Sequence, residues 1–339
     1  MKVLSLFSGI GAFERALENL EIPYELIAYC EIDKYASKAY SLLHNVSEEA
    51  NLEDITKVDV TKLPKDIDLV TYGFPCQDIS LAGKQRGLEH EGEKTRSGLV
   101  WDAHNIIKNT MPKVAICENV KNLTGKKFKA EFEAILENLD DIGYNNYYQV
   151  LNSKDYGVPQ KRERVFIISI RKDIDKGSFT FPITFPLKCS LKDLLDSKVD
   201  DKYFLSEKMA NYILDIDEKQ KGTAWEGRAD EDILNPTIAH TLGVRSAGGC
   251  QRAGVSNFVI EELNKPIKVK DFKEQYYPLY IDCIRKLTPS ECFKLMGFTS
   301  EDVNVLRQHN ISDTQLYKMA GNSIVVDVLM AIFKRLYNV

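Results

Sequence analysis

The first half of the chain alternates short apolar runs with stretches of helical periodicity. The apolar runs predict β-strands at residues 3–7, 26–30, 67–72, 114–117 and 165–170. The stretches between them predict helices at residues 12–20, 34–43 and 100–109. Continuously apolar strands that alternate with helices are typical of a parallel sheet that is covered on both faces. This half of the chain therefore predicts an α/β fold.

The alternation stops after about residue 178. A proline-containing segment at residues 181–186 is typical of a linker, and residues 187–284 lack the earlier rhythm and include a glycine-rich run at 243–254. A helical pattern resumes at residues 288–291, where a threonine precedes a proline and a glutamate, and the chain closes with an apolar helix. The second half therefore predicts a smaller, more irregular domain.

Composition narrows the class of protein. The 339 residues, 44% of them hydrophobic, can bury a large core, and no stretch reaches the roughly 18 to 20 apolar residues of a membrane span. The seven scattered cysteines contain no C-x-x-C pair and the five histidines are dispersed, which favours neither a disulfide framework nor a metal site. We therefore expect a cytoplasmic enzyme without a metal. Because the net charge of the protein is −5, a nucleic acid would have to bind to a local basic surface.

A glycine turn at residues 7–11 follows the first strand and opens the first helix. Glycines let the backbone approach a ligand there, but Glu14 stands in place of the third glycine of the dinucleotide fingerprint, which disfavours a pyrophosphate. Glu31 ends the second strand and suits a ribose diol, with Ile32 covering an adenine face. An acid that caps the helix at Lys34 is the alternative. Together these features predict a nucleoside ligand without phosphates.

Cys76 stands directly after Pro75, at the end of the third predicted strand. A rigid strand-to-loop junction holds the sulfur where a flat ligand can reach it, although a cysteine at an apolar boundary is more often packed. Glu118 follows the strand at 114–117, and parallel strands bring their carboxyl ends to one edge of a sheet. We therefore expect Glu118 on the same edge as Cys76, with a salt-bridged structural glutamate as the alternative.

Arg162 and Arg164 alternate around Glu163 just before the last strand of the first half. In an extended segment their side chains point to the same side, and two fixed guanidinium groups suit a phosphate or a base carbonyl. A solvated basic loop is the alternative for this cluster.

These motifs, in this order, closely resemble those of the DNA (cytosine-5) methyltransferases of bacteria and phages. The resemblance spans the chain except for about residues 187–284 and rests on segments 7–11, 73–77, 118–120, 155–159, 160–164, 285–298 and 321–323. It implies a Rossmann-like, S-adenosylmethionine-dependent catalytic domain with a mostly parallel sheet, a smaller target-recognition domain across a DNA-binding cleft, and a helical hinge. The resemblance implies a catalytic domain at residues 1–186 and 318–339. It implies a target-recognition domain at residues 187–284 and a helical hinge at residues 285–317.

The resemblance also implies a mechanism. A base inside a duplex cannot be attacked, so the target cytosine would be flipped out, and the Cys76 thiolate would add to its C6 atom. Glu118 would hold N3 and the exocyclic amine, and Arg164, supported by Arg162, would grip O2 and the neighbouring phosphate. The methyl group would pass from S-adenosylmethionine to C5, leaving S-adenosylhomocysteine, and loss of the C5 proton would release Cys76. The sequence does not identify the base that removes this proton.

The remaining implied sites bind the cofactor and DNA. The cofactor residues are Phe7, Gly9, Ile10, Gly11, Glu31, Ile32, Asp54, Ile55, Pro75, Asn322 and Ser323. Asp54 would receive the adenine amine, with the nearby Asp59 as a rival. The residues that we assign to DNA are Gln77, Ser80, Lys84, Arg86, Arg245, Gln251 and Arg252. Ser80, Lys84 and Arg86 belong to a glycine-rich, basic loop at residues 80–98 that would close over double-stranded DNA, and Gln77 stands just before it. The last three residues belong to the recognition region.

Two alternatives stay open from the sequence. An enzyme of the same scaffold that methylates tRNA cytosine carries a Cys-Phe-Thr motif in its recognition region, which residues 187–284 lack. A catalytically silent DNA-binding homologue would show damage in a catalytic motif, and Cys76, Glu118, Arg162 and Arg164 are all present. We expect a monomer with one specific short target site, which the sequence does not identify. A cognate restriction endonuclease would be a functional and not a physical partner.

Overall fold

The chain folds into two compact units. A computed structural model describes residues 1–80, 83–214, 236–243, 257–261, 263, 267, 269–276 and 279–338. The first unit contains Met1–Asn152, Glu163–Ile183 and Val328–Val339. The second unit contains Ser153–Arg162 and Thr184–Asp327.

The strands and helices that the sequence pattern predicts in the first half are present, but the pattern missed the helix Lys129–Ile142. The strands are β1 Lys2–Leu6, β2 Glu25–Cys30, β3 Leu69–Tyr72, β4 Glu89–His90, β5 Glu93–Lys94, β6 Val114–Val120, β7 Tyr144–Asn152, β8 Gln160–Lys161, β9 Glu163–Arg171, β10 Ala239–His240, β11 Phe258–Ile260 and β12 Ile284–Lys286. The α-helices are α1 Ala12–Asn19, α2 Lys34–His44, α3 Val100–Thr110, α4 Lys129–Ile142, α5 Glu207–Leu214, α6 Val269–Gln275, α7 Pro289–Lys294, α8 Ser300–Gln308, α9 Asp313–Asn322 and α10 Val326–Tyr337. Short 3-10 helices fill several of the connections.

The first unit is built on a six-stranded sheet of order β2-β1-β3-β6-β9-β7. The pairs β1 with β2, β1 with β3 and β3 with β6 are parallel, whereas β9 is antiparallel to both β6 and β7. The sheet is therefore mixed, which corrects the prediction of a parallel sheet at this end. The sequence pattern also missed β7. An edge strand has one open side and needs no continuous apolar run, and β7 accordingly contains Tyr148, which is 53% exposed.

Both faces of the sheet are covered. Leu4 and Leu6 of β1 point to one side and are at most 1% exposed, and they share an apolar core with Ile106 of α3. On the other side Tyr29 of β2 stacks on Tyr40 of α2, with ring centroids 4.1 Å apart. Helices on both faces leave the carboxyl edge of β1, β2, β3 and β6 as the place where loops can carry chemistry.

The second unit has its own apolar core, formed in part by Phe258, Phe272 and Ile284. The predicted helix start at residues 288–291 is confirmed, because Thr288 and Glu291 form a reciprocal capping box at the start of α7. By contacts, residues 285–317 belong to this unit. Their role as a hinge is a matter of function and stays a prediction. The target-recognition role of residues 187–284 is a matter of function, which this division does not test, and it stays a prediction.

One segment has the length and composition of a membrane span. Asp313–Tyr337 is 25 residues long with a mean hydropathy of 1.4 in its most apolar window, and 67% of that window is buried inside the protein. Buried core helices pass the same test, so the segment is weak evidence for a membrane.

Candidate active site

Cys76 lies just beyond β3, on a backbone that is fixed from two sides. The side-chain amide of Asn119, at the end of the neighbouring strand β6, donates a 3.0 Å hydrogen bond to the carbonyl oxygen of Phe74. The hydroxyl of Ser97 donates to the carbonyl oxygen of Pro75 at 2.6 Å. The Cys76 carbonyl in turn accepts from the backbone N–H groups of residues 79 and 80, which closes a turn. Cys76 itself is half-buried, so its sulfur is held by the backbone without being enclosed in the core.

Glu118 and Arg164 form an ion pair beside this junction on the same sheet. Because β3 and β6 are parallel neighbours, both strands end at one edge, as predicted. Glu118 Oε1 lies 3.0 Å from Arg164 Nε, and the two side chains are only 11% and 16% exposed. The register of β6 with β9 pairs Val120 with Arg164, so Glu118 is its diagonal neighbour on the same face. The structure thus shows the salt bridge that the alternative interpretation of Glu118 anticipated.

Arg162 has a different environment from Arg164, and its predicted role in supporting Arg164 stays a prediction. Its side chain lies inside the second unit, and the residue is 4% exposed. Its guanidinium donates to the carbonyl oxygens of Leu242 (2.7 Å), Gly321 (3.3 Å) and Ser323 (2.7 Å). These bonds hold backbone from two distant parts of the chain, so this guanidinium organises the unit. Alternation in an extended strand could not reveal this, because the carbonyl partners are far away in sequence.

Gln160 is an organising residue that the sequence analysis did not single out. It is fully buried, and its amide donates to the carbonyl oxygen of Leu295 at 2.8 Å. Its side-chain oxygen accepts from the backbone N–H of Leu242 at 3.1 Å, and β8 pairs in parallel with β10. Gln160 and Arg162 therefore both fasten the segment 239–242, which leads into the glycine-rich run. The only sequence signal for Gln160 was its place in the resemblance.

The turn at residues 7–11 has the backbone conformation that its glycines predict. Gly9 and Gly11 have φ values of 58° and 77°, which favour glycine, and the non-glycine Phe7 has a φ of 52°. A bulky residue in this region is strained, and such strain is concentrated at functional sites. A Cβ atom built on Gly9 would have no neighbour within 4 Å, so the space beside it is open. Ile10 is buried between these glycines.

Glu31 and Asp33 divide two tasks that the sequence left open. Asp33 caps α2, accepting from the backbone N–H groups of Tyr35 and Ala36. Glu31 does not cap the helix. Its Oε2 accepts from the Gly9 N–H at 2.9 Å, and its Oε1 accepts from the Asp33 N–H at 2.8 Å. The carboxylate of Glu31 therefore ties the end of β2 to the glycine turn.

Ile32 stands next to Glu31 and is 75% exposed, an unusual position for a large apolar side chain. It lies at the carboxyl end of β2, directly before Asp33. A flat apolar ligand that packed on Ile32 would lie next to the preceding residue, Glu31, and its carboxylate.

Asp54 and Asp59 have nearly the same local structure. Each caps a 3-10 helix, accepts from the backbone N–H and the hydroxyl of the threonine two residues later, and lies 3.5 Å from the lysine three residues later. These hydrogen bonds to threonine hold the pKa of each carboxyl below its usual value. Local geometry therefore does not separate the two candidates.

The position of the preceding segment does separate them. The side chain of Asn51 forms two hydrogen bonds with the backbone of Glu31. It accepts from the N–H at 3.0 Å and donates to the carbonyl oxygen at 2.9 Å. The thiol of Cys30 donates to the carbonyl oxygen of Glu53 at 3.1 Å. Burial, together with the negative charges of Glu31 and Asp54, raises the pKa of Cys30 to about 12. Asp54 thus lies near Glu31, and the next residue, Ile55, is buried in the core.

The predicted closing loop, residues 80–98, begins four residues after Cys76. Arg86 is engaged with the buried carboxylate of Asp78, at 2.9 Å, and Lys94 with Asp102, at 2.7 Å. The backbone N–H of Lys84 donates to the carbonyl oxygen of Gln77. The side chains of Gln77 and Lys84 are exposed, and Ser80 is half-buried. Of the basic residues named for this loop, Arg86 is therefore already paired within the protein.

The other predicted residues fall in the second unit or outside the description. Asn322 is exposed at the end of α9, and Ser323 is buried. The predicted base-contacting residues Arg245, Gln251 and Arg252 lie outside the described residues. Their assignment stays a prediction.

Comparison with known proteins gives one consistent result. The sequence profile of the family described as C-5 cytosine-specific DNA methylase matches residues 1–338. The orphan methyltransferase M.SPRI of Bacillus phage SPR is 33% identical over 433 aligned residues, covering 99% of this chain and 97% of the relative. The type II methyltransferase M2.ScrFI of Lactococcus lactis subsp. cremoris is 33% identical over 389 residues, covering 99% of both chains. The match therefore extends over nearly the whole of each protein.

A solved structure has the same fold. The Dnmt2 methyltransferase of S. pombe superposes with a TM-score of 0.76, covering 100% of this chain and 98% of that one. Its sequence is 21% identical, so the likeness concerns the fold alone.

Proposed function

The chain belongs to the family of C-5 cytosine-specific DNA methylases and is a DNA (cytosine-5) methyltransferase, and we propose that Cys76 is its nucleophile, acting with Glu118 and Arg164. The family depends on S-adenosylmethionine, and its substrate is DNA. The observation that carries the residue assignment is the edge of one sheet where β3 leads to a half-buried cysteine and the neighbouring β6 contains a carboxylate paired with an arginine.

The chemistry requires a nucleophile, since cytosine C5 does not attack a methyl group unaided. The Cys76 thiolate adds to C6, and the electrons of the C5–C6 double bond become available at C5. Loss of the C5 proton after methylation lets the C–S bond break and restores the thiolate. The bonds of Asn119 to the Phe74 carbonyl and of Ser97 to the Pro75 carbonyl support this role, because they fix the backbone on which the sulfur is carried.

Glu118 acts on the other side of the reacting ring. Its carboxyl group accepts a hydrogen bond from the exocyclic amine and shares a proton with N3, which relieves the negative charge that addition to C6 creates. Arg164 holds this carboxyl at 3.0 Å through Nε. Its remaining N–H groups suit the cytosine O2 or a phosphate. Arg162 has a positioning role, because its guanidinium is committed to backbone carbonyls.

The donor site is the turn at residues 7–11 with Glu31, Ile32, Asp54 and Ile55. S-adenosylmethionine supplies the methyl group when it is bound there. The open space at Gly9, the exposed Ile32 and the carboxylate of Glu31 fit a nucleoside without phosphates. Glu31 takes the ribose hydroxyls, Ile32 covers one face of the adenine, and Asp54 takes its amine. We also include Pro75, Asn322 and Ser323 in the proposed donor site, and this assignment rests on the resemblance alone.

The substrate is double-stranded DNA from which the target cytosine is flipped, and residues 80–98 close over it. We also propose a monomeric enzyme of the bacterial or phage-infected cytoplasm. The acidic net charge of −5 means that DNA is held by local basic groups such as Lys84.

A covalent trap tests the central assignment. In a duplex whose target cytosine carries fluorine at C5, addition of Cys76 and methyl transfer can proceed, but no C5 proton can leave. We expect a denaturation-resistant protein–DNA adduct when S-adenosylmethionine is present, with the DNA attached to the peptide that contains Cys76. Cys76→Ser should form no adduct and still bind DNA, and Cys189→Ser, also half-buried, should react like the wild type. Attachment elsewhere, or unchanged methyl transfer by Cys76→Ser, would overturn the assignment.

A further inference from the structure

Two separate parts of the loop at residues 80–98 meet on Asp78, which lies two positions after the proposed nucleophile. The backbone N–H of Asp78 donates to the hydroxyl of Ser97 at 3.3 Å. Its carbonyl oxygen accepts from the N–H of Gly87 at 2.9 Å. Its carboxylate accepts from Arg86 Nε, also at 2.9 Å. Asp78 is therefore bonded both to the first half of the loop and to its end.

The same contacts reach the backbone on both sides of Cys76. The Ser97 hydroxyl, which accepts from Asp78, also donates to the carbonyl oxygen of Pro75 at 2.6 Å. Asp78 itself belongs to the turn in which the Cys76 carbonyl oxygen accepts from the N–H of Ser80 at 2.8 Å. A shift of Asp78 therefore moves the backbone that carries the proposed nucleophile.

The two parts of the loop are also bonded to each other. The hydroxyl of Thr95 donates to the carbonyl oxygen of Gly87 at 2.7 Å, and the N–H of Thr95 donates to the carbonyl oxygen of Leu88 at 2.9 Å. Thr95 and Leu88 are both buried. A displacement of the backbone at Gly87 is therefore passed on to the segment that contains Ser97, so the two parts move together.

The carboxylate of Asp78 is shielded from water, whereas its partner is not. The side chain of Asp78 is 2% exposed and that of Arg86 is 36% exposed. Burying a carboxylate costs free energy, and a buried ion pair often stabilises a fold no more than apolar residues of the same volume. A need for one fixed geometry therefore explains this pair better than a need for stability.

We infer that Asp78, through its ion pair with Arg86, is a positioning residue that couples the orientation of Cys76 to the position of the loop. The role presupposes that Cys76 is the nucleophile, so the inference rests on the function proposed above. While the pair is intact, the turn is held from both parts of the loop, and the sulfur is kept in the geometry for addition to C6. Without the pair, DNA binds as before, but the sulfur is misplaced and addition slows.

Single-turnover methyl transfer to duplex DNA, at saturating enzyme and donor, measures the chemical step. The amount of fluorocytosine adduct formed at long times counts the active molecules. We expect Asp78→Asn, which keeps the side-chain volume, and Arg86→Met each to slow transfer by about tenfold, the worth of one charge-assisted hydrogen bond. Because both substitutions break the same pair, the double variant should also be about tenfold slower than the wild type.

Lys113→Met is the matched control. Lys113 Nζ lies 2.6 Å from Asp68 Oδ1, and the two side chains are 58% and 26% exposed. Asp68 stands directly before β3, whereas Cys76 follows that strand, so the control removes an ion pair at the opposite edge of the sheet. Its rate should stay within about twofold of the wild-type rate.

DNA affinity separates the positioning role from direct binding of DNA by Arg86. We expect the dissociation constant for duplex DNA, and its dependence on salt concentration, to be unchanged in Asp78→Asn and Arg86→Met. If Arg86 binds a phosphate instead, Arg86→Met weakens DNA binding and lowers the slope of log K against log salt by about 0.9, while Asp78→Asn does not weaken it.

Three results would overturn the role of Asp78 alone. They are a phosphate-binding result for Arg86, unchanged rates of methyl transfer in the single variants, and a double variant that is about a hundredfold slower than the wild type. A wild-type protein that forms no adduct at Cys76 would instead overturn the nucleophile on which the inference rests.

Discussion

The Glu118 carboxylate and the Arg164 guanidinium lie 3.0 Å apart, on adjacent antiparallel strands of the first unit. Their position follows from register, because Val120 pairs with Arg164 and Glu118 is two residues away on the same face. The pair is mostly shielded from water, so it is stronger than an exposed pair. It also orients the carboxyl group, which the proposed chemistry needs.

The first prediction concerns this pair. Arg164→Lys keeps the positive charge but loses the planar set of donors, so we expect the rate of methyl transfer to fall by about 10²-fold or more. Single-turnover transfer of a labelled methyl group to duplex DNA measures it. The control is Glu163→Gln next in the chain, since Glu163 pairs with the exposed Lys121 and its substitution should change the rate by less than about twofold. Equal effects of the two substitutions would contradict the role of Arg164.

Substitutions of the two arginines should affect different properties, namely stability for Arg162 and methyl transfer for Arg164. Arg162→Met leaves buried carbonyl oxygens of Leu242, Gly321 and Ser323 without their donor, which we expect to destabilise the protein by about 3 kcal/mol. Arg164→Met should change stability much less and abolish methyl transfer. Thermal unfolding of both variants, followed by calorimetry, measures this difference. An Arg162→Met protein as stable as the wild type would show that the carbonyl contacts do not organise the unit.

Asp54 and Asp59 form a matched pair for the donor site. Each caps a 3-10 helix in the same way, so Asp54→Asn and Asp59→Asn should cost similar stability. Of the two, Asp54 is held near Glu31 by the hydrogen bonds of Asn51 with the Glu31 backbone. We therefore expect Asp54→Asn to raise the KM for S-adenosylmethionine about tenfold and Asp59→Asn to leave it unchanged. Steady-state kinetics with varied donor concentration measures the two KM values. A raised KM for Asp59→Asn with an unchanged KM for Asp54→Asn would make Asp59 the adenine ligand.

His104 predicts how stability depends on pH. Burial lowers its pKa to about 4 from an unperturbed 6.5, although its hydrogen bond with Asn138 acts in the opposite direction. The unfolded chain therefore binds a proton that the folded chain resists, so stability is fully present above about pH 6.5 and falls as the pH drops towards 4. The loss should be roughly 3 kcal/mol. Denaturant unfolding of the wild type and His104→Gln between pH 7 and 4 measures it, and an equally steep decline in the variant would contradict this origin.

The sequence by itself determined the order of the chemical motifs and most elements of the first unit, although not α4 or β7. Strands such as β1 and β3 are buried on both faces and so show as apolar runs, and the cysteine after Pro75 follows one of them. Motif order also indicated the family, which the match over residues 1–338 shows. The edge strand β7 gave no such signal, because one open side relaxes the demand for apolar residues.

Only the tertiary structure decided which partner each polar side chain takes. Arg162 and Arg164 look equivalent in sequence, yet Arg162 binds backbone carbonyls that are distant along the chain, whereas Arg164 binds Glu118 and the adjacent carbonyl of Glu163. His44 gave no signal either, since its partners Glu18 and Ile10 are 26 and 34 residues away along the chain. The physical reason is the same in each case. A sequence pattern records burial and chain direction, but hydrogen bonds and ion pairs depend on groups that are distant along the chain and meet only in the fold.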